Sequence, residues 1–481
     1  MTVFLREFRL NSFFATHDGS SRGNLALHDI ISALKWIQQN VEQFGGDPSN
    51  VTVCGHGTGA ILTNLLMVSP MAKGLFSRVI LMSGSALSPS ALNYQPLDLS
   101  MKLAETVGCR STSPSYMMQC MRQKSVFELL SKDHSSYQTE TLGFGPVLRC
   151  LDKWVSPQLE KSVHWFAVRL DWGSSLSKLV EDYPDVLMTS TYMQHYQSYD
   201  LMFSVAKVET YFDFSSQEVR FGLEEDRRNQ LIQNYMNKTL PYHKEELSAI
   251  SINEYTDWTK TIQHPINMLD ATSEIIGDAD IVAPMVLAAN YHYDRHRKSS
   301  YFSVFSYQTT DGDYSDRMGC IHGEELPYLF GAPLAGSKLG YFQDKYSQGE
   351  KQLSDAIIAF WVNFARTGNP NLHSVQTHED NRYKKIIWQP YDVMDKKYLS
   401  FVLEIFQWEN PFATTRPYFR IYLNYVYYDH LAPSGLCRST HHHDDMKLIY
   451  IRTGNVSLHQ ENELRNDAYE FDHYILMSVN T

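Results

Sequence analysis

Residues 51–67 constrain the fold more than any other stretch. Val51-Thr52-Val53-Cys54 is short and β-rich, the pattern of a strand buried on both faces. A tight glycine turn, Gly55-His56-Gly57-Thr58-Gly59, follows it. Residues 60–67 then read as a helix running straight out of the turn. The next buried strand is RVILM at 78–82, closed by Ser83-Gly84. Upstream, Leu27, Ile30, Ile31, Leu34, Ile37 and Val41 recur at helical spacing and make one apolar face. The turn residues Gly45-Gly46-Asp47-Pro48 end that helix. Short apolar strands alternating with helices imply a mostly parallel α/β sheet covered on both faces.

Further along, 102–108 and 116–123 read as short helices, and 201–205 as another buried strand. The charged stretch 221–236 reads as helical, and 300–307 as a strand. A strong helix opens near Leu353, with Ser354 at its start, and closes at Arg366. Ile357, Ile358, Trp361 and Phe364 share one of its faces, while Phe360 and Asn363 lie off that stripe, free to face a partner. Gly368 and Pro370 stop it. The run His441-His442-His443-Asp444-Asp445 reads as a solvated loop, because three consecutive side chains cannot share one face.

Composition closes off other classes. At 43% hydrophobic residues the chain has material for a large core, which excludes a disordered class. A net charge of −12 argues against a nucleic-acid backbone as partner. The short basic run Arg295-His296-Arg297-Lys298 reads as a solvated face. No stretch of about eighteen apolar residues marks a membrane span. The first fourteen residues carry Arg6 and Arg9 and make a poor signal peptide; alone, they read as cytosolic.

Strand, glycine turn and helix are the setting of the nucleophile elbow, G-x-S-x-G, in α/β-hydrolases. Here Gly55 and Gly59 frame the turn, and Gly57 stands where the hydroxyl belongs. Other segments carry a wider resemblance: Phe44-Gly45-Gly46-Asp47-Pro48, Phe144-Gly145-Pro146-Val147, Tyr255-Thr256-Asp257-Trp258, His322-Gly323-Glu324-Glu325-Leu326-Pro327-Tyr328, and residues 361–370, WVNFARTGNP. In this order the chain resembles the cholinesterase-like, type-B carboxylesterase family over residues 1–400, and within it the neuroligins, whose elbow lacks the serine. The resemblance implies the α/β-hydrolase fold, with the N-terminal strands and any signal peptide lying upstream. Arg6-Glu7-Phe8-Arg9-Leu10 then resembles the family's next strand. Residues 149–183 match nothing expected there, and 401–481 form a divergent, poorly ordered C-terminal segment without the expected helix, stalk or membrane span.

The same resemblance carries over a triad. His322 matches the catalytic histidine and Glu209 the acid, so Gly57, Glu209 and His322 are the vestigial positions. Thr58 is expected to supply only a backbone N–H, and His56 to point elsewhere. Losing the serine of such a triad costs about 10⁶ in kcat. The family's oxyanion glycine loop is expected upstream, so serine at 57 alone should restore little turnover. The chain is therefore expected not to be an enzyme.

As a neuroligin-like chain it is expected to be a synaptic cell-surface adhesion ectodomain that binds a neurexin-like protein. No cofactor is expected, calcium at that contact being held mainly by the partner. Glu209, Tyr211 and Asp213 fall where the family places part of the contact, and the 353–366 helix would contribute half of a weak homodimer bundle. Cys109 and Cys120 match a family disulfide; Cys54 reads as an inert thiol, and Cys150, Cys320 and Cys437 receive no role. Asn237-Lys238-Thr239 is a candidate glycosylation site, whereas the sequon at Asn50 enters a buried strand. The alternatives are a serine hydrolase, which needs serine at 57, and a truncated product whose exposed sheet edge invites aggregation.

Overall fold

The computed structural model describes residues 2–5, 14–131, 183–402, 408–409, 446–452, 455–457 and 474–480, apart from 17–19, 22, 94–95, 211–213, 241–242, 261–262, 294–297, 311–316, 318, 336–344 and 373–380. The chain divides into two units, Met1–Leu431 and Ala432–Thr481.

The first unit is built on one sheet whose strands follow chain order: β1 (Thr2–Leu5), β2 (Thr52–His56), β3 (Arg78–Met82), β4 (Asp200–Ala206), β5 (Ser300–Phe305), β6 (Tyr398–Phe401) and β7 (Trp408–Glu409). Neighbours from β1 to β6 pair parallel, and β7 pairs antiparallel to β6. The strand beside β2 is thus Thr2–Leu5, and the family-like 6–10 lies outside the described residues.

Helices of the first unit include α1 (Leu25–Asn40), α2 (Thr58–Met67), α3 (Pro96–Thr106), α4 (Pro114–Met121), α5 (Ser216–Phe221), α6 (Glu225–Thr239), α7 (Lys244–Tyr255), α8 (Pro265–Gly277), α9 (Ala283–His292), α10 (Leu326–Leu329) and α11 (Gln348–Thr367). Successive strand residues enter opposite cores. Val53, Val79, Leu81, Leu201 and Phe203 join the α1, α2 and α9 side. Cys54, Ile80, Met82, Met202 and Leu399 join the α11 side. That two-sided burial is why RVILM is apolar without alternation.

Three local expectations are refined or corrected. The stretch 221–236 is helical apart from 222–224: α5 stops at Phe221 because Gly222 takes a φ of 90°, and α6 resumes at Glu225. A Cβ on Gly222 would meet the backbone carbonyl carbon of Pro265 at 2.2 Å. Second, α11 begins at Gln348, not near Ser354. Ser347 and Glu350 cap it reciprocally, while buried Ser354 donates its hydroxyl to Tyr328 O at 2.7 Å. Third, Phe360 and Asn363 do not face outward. Phe360 packs on Trp388 and Phe401, and Asn363 donates to Pro370 O.

Cys109 and Cys120 are bridged, their Cα atoms 5.6 Å apart, within an apolar cluster that includes Leu103, Met117 and Met121. By loop entropy the bridge contributes about 3 kcal/mol. A non-reduced digest of secreted protein should yield the linked peptide in mass spectrometry. Freely alkylated thiols would contradict it. Cys54 and Cys320 are free and buried, and Cys150 and Cys437 lie outside the described residues.

His292 on α9 is wholly buried, with Nε2 2.9 Å from Tyr199 O. Burial pushes its imidazole down from 6.5 to about 4, against a smaller opposing effect of that carbonyl. The unfolded chain therefore binds the extra proton between those values. Stability is full above about pH 6.5 and falls by about 3 kcal/mol as pH drops towards 4. Urea midpoints measured against pH should show this acid limb in the parent chain and a flatter one in His292→Gln.

The second unit holds β8 (Met446–Arg452), paired antiparallel with β9 (Asn455–Ser457) and β10 (Tyr474–Asn480). It falls in the stretch expected to be poorly ordered. The run 441–445 and the segment 149–182 lie outside the described residues.

Candidate functional site

The site forms at the C-terminal end of the parallel strands. Leaving β2, the chain must reverse at once into α2, and Gly57 does this with φ 56° and ψ −123°. Its neighbours must be small. A Cβ on Gly55 would meet Gly59 O at 2.3 Å, and one on Gly84 would meet Gly57 O at 2.3 Å. Gly57 N–H donates to Met82 O at 2.8 Å, which pins the turn to the next strand. The elbow is therefore a built structure, whatever residue occupies its tip.

Two loops bring the other groups. Glu209 follows β4, and His322 precedes α10. A parallel bridge between Val208 and Ile321 holds the loops together, with Val208 N–H donating to Cys320 O at 2.9 Å. His322 Nδ1 lies 2.6 Å from Glu209 Oε2. The other carboxylate oxygen accepts from Ser83 Oγ and Ala206 N–H, both at 2.8 Å. These three contacts fix the orientation of the carboxylate, the role of the acid in a working triad. A Cβ at Gly57 would lie 3.4 Å from His322 Nε2. The base thus points at the position where a nucleophile would stand.

Burial alone would lower the His322 imidazole, but the Glu209 hydrogen bond, with the charges of Glu209 and Glu325, raises it above its ordinary value. The raised direction means this pair adds stability at low pH and loses it as pH rises through the folded value. Its sign is opposite to that of His292.

Two expectations about position change. His56 does not point elsewhere: its ring lies 4.5 Å from that of His322. The pleat of β2 and the His322 loop bring the rings together, which the turn motif alone does not indicate. Glu209 offers no surface to a partner, since its side chain is 1% exposed beneath His322. Tyr211 and Asp213 lie outside the described residues. Asn237 is exposed on α6, while the Asn50 amide donates to Arg366 O and Thr52 is buried.

Among the described residues, no group of three or more His, Cys, Asp or Glu is placed to hold a metal ion. Nor is any described helix long and apolar enough to cross a membrane.

The chain is 29% identical to neuroligin-2 of Rattus norvegicus over 400 residues, covering 82% of this chain and 44% of that protein. Neuroligin-3 of Mus musculus is 30% identical over 400 residues, with the same 82% and 44% shares. Neuroligin-1 of Caenorhabditis elegans is 26% identical over 371 residues, covering 73% and 43%. The chain thus spans less than half the length of these curated relatives. The carboxylesterase family model matches residues 6–419, so with the parallel sheet and elbow described above, the chain belongs to the carboxylesterase family.

Proposed function

We propose that the chain is a non-catalytic, cholinesterase-like adhesion ectodomain that acts at a cell surface by binding a neurexin-like protein. The observation that carries the non-catalytic part is Gly57 at the elbow. The fold, base and acid surround a position that bears no hydroxyl, and the neighbouring Thr58 stands on α2 beyond it. Similarity to neuroligin-2 and neuroligin-3 supports the adhesion part. Calcium, on this reading, belongs to the partner contact rather than to a resident site.

Binding of the folded, secreted chain to immobilised neurexin ectodomain tests the proposal. Saturable binding that EDTA removes is the expected result. A folded chain that shows no binding at about ten micromolar would refute it.

A weak homodimer through α11 belongs to the same proposal. Most of that helix is consumed by the core, leaving Lys351, Asp355, Ile358, Val362 and Arg366 less buried along its outer side. Half of a bundle buries about half its area, short of the roughly 800 Å² per partner of a standard interface. Light scattering should find a mainly monomeric chain at micromolar concentration, and a stable dimer would show that another surface contributes.

A further inference from the structure

Asn50-Val51-Thr52 has the pattern of a glycan acceptor, and the fold commits both of its reactive side chains to another task. The pleat of β2 puts Thr52 on the α11 side together with Cys54. There the Thr52 hydroxyl donates to Ala365 O at 2.9 Å, and Asn50 Nδ2 donates to Arg366 O at 3.3 Å. Arg78 lies opposite Thr52 on β3, and its Nη1 donates to Asn50 Oδ1 and, at 3.3 Å, to Ala365 O. The last four carbonyls of a helix have no partner inside it. In α11 the Gly368 N–H serves Phe364, while the sequon and Arg78 serve Ala365 and Arg366. The end of α11 is thus capped by residues 313 and 316 positions earlier in the chain. Gly368 closes this seat at φ 78°, where a Cβ would meet Asp200 Oδ2 at 2.5 Å.

Glycosylation requires what the seat withholds. The transfer joins the anomeric carbon of a sugar to Asn50 Nδ2. It breaks that carbon's bond to a pyrophosphate leaving group, carried on a lipid or a nucleoside, and releases one amide proton. The enzyme has to reach the amide and engage the threonine hydroxyl. In the folded chain Thr52 is 1% exposed, its hydroxyl is held at Ala365, and its strand is paired on both sides. During synthesis the sequon precedes α11 by roughly 300 residues, which at about 5–20 residues per second leaves both groups uncapped for about 15–60 s.

We propose that Asn50 is a conditional N-glycosylation site: it accepts a glycan only while α11 is undocked, and a glycan placed there keeps the C-terminal turn of α11 off the sheet. A sugar on Nδ2 is one bond from the atom that faces Arg366 O and stands beside the Arg78 guanidinium, so it wedges the seat open. In a secreted chain the modification would mark molecules in which the sheet and α11 have not joined. That consequence rests on the ectodomain reading above; the mutual exclusion does not.

The first test uses the purified, unmodified full chain with a soluble N-glycosyltransferase and a nucleotide-sugar donor, and reads the Asn50 peptide by mass spectrometry. Gly368→Val forces the helix end away from Asp200 and should speed labelling of Asn50 about tenfold or more over the parent. Leu103→Ala weakens the separate α3–α4 cluster and should leave labelling slow. Equal rates in parent and Gly368→Val would overturn the proposal, as would equal acceleration by Leu103→Ala, which would trace access to global unfolding. The second test expresses the parent through the secretory pathway and compares secreted with retained chain. Asn50 occupancy should be at least about tenfold lower in the secreted fraction. Secreted, folded chain that carries the Asn50 glycan as fully as retained chain would overturn the proposal, even if Gly368→Val fails to fold. Chain lacking glycan at Asn237 as well as Asn50 would count against the ectodomain reading, while labelling of the purified chain still decides the Asn50 site.

Discussion

The purified chain is expected to hydrolyse short-chain aryl esters no faster than buffer. An intact triad of this kind outperforms one lacking its serine by about 10⁶ in kcat, and what survives is only about 10³ over water. His322 and Glu209 are aligned for proton transfer, but no hydroxyl stands between His322 and a substrate. Turnover abolished stoichiometrically by an organophosphate would overturn the non-catalytic reading. Gly57→Ser separates geometry from turnover. The new Cβ would lie 3.4 Å from His322 Nε2, an ordinary contact, so the hydroxyl falls within reach of the base. Slow organophosphate labelling of this variant, lost again when His322→Ala is added, is the expected result.

Trp388→Ala is expected to destabilise the first unit by about 3–5 kcal/mol, the cost of emptying a fully packed aromatic site. Trp388 is completely buried. Its ring meets Tyr301 of β5, Phe360 and Trp361 of α11, and Phe401 of β6 at centroid distances of 5.7–6.0 Å. Its indole N–H donates to Phe302 O at 3.1 Å, so truncation also leaves a buried acceptor without that donor. Trp388→Phe retains much of the contact and should cost less. Urea unfolding followed by circular dichroism measures both. An alanine variant within about 1 kcal/mol of the parent would show that the sheet and α11 do not depend on this plug.

Local signals made much of the fold legible. RVILM matches β3 residue for residue, and the run 60–67 becomes α2 with its start two residues earlier. Both follow from short-range preferences that need no distant partner. The elbow was legible for the same reason: a reversal this tight between strand and helix admits only small residues, and the glycines stand in the sequence. Even the missing nucleophile is a property of one position.

Long-range packing decided the rest. Phe360 and Asn363 lie off the apolar stripe of α11, and helical periodicity leaves them facing outward. Phe360 is instead covered by the Trp388 loop, and Asn363 by the turn at Pro370. Ser354 resembles a cap by type, but α11 starts earlier because Ser347 and Glu350 satisfy each other's backbone. Glu209 is committed beneath His322 by a bridge between loops more than a hundred residues apart in the chain. His56 is the sharpest case. A strand end alternates its side chains whatever lies nearby, so the sequence determined only that an imidazole would sit beside the elbow. Which groups it would meet depended on where the loop carrying His322 and Glu325 closed over it, and only the tertiary structure brings those charges together.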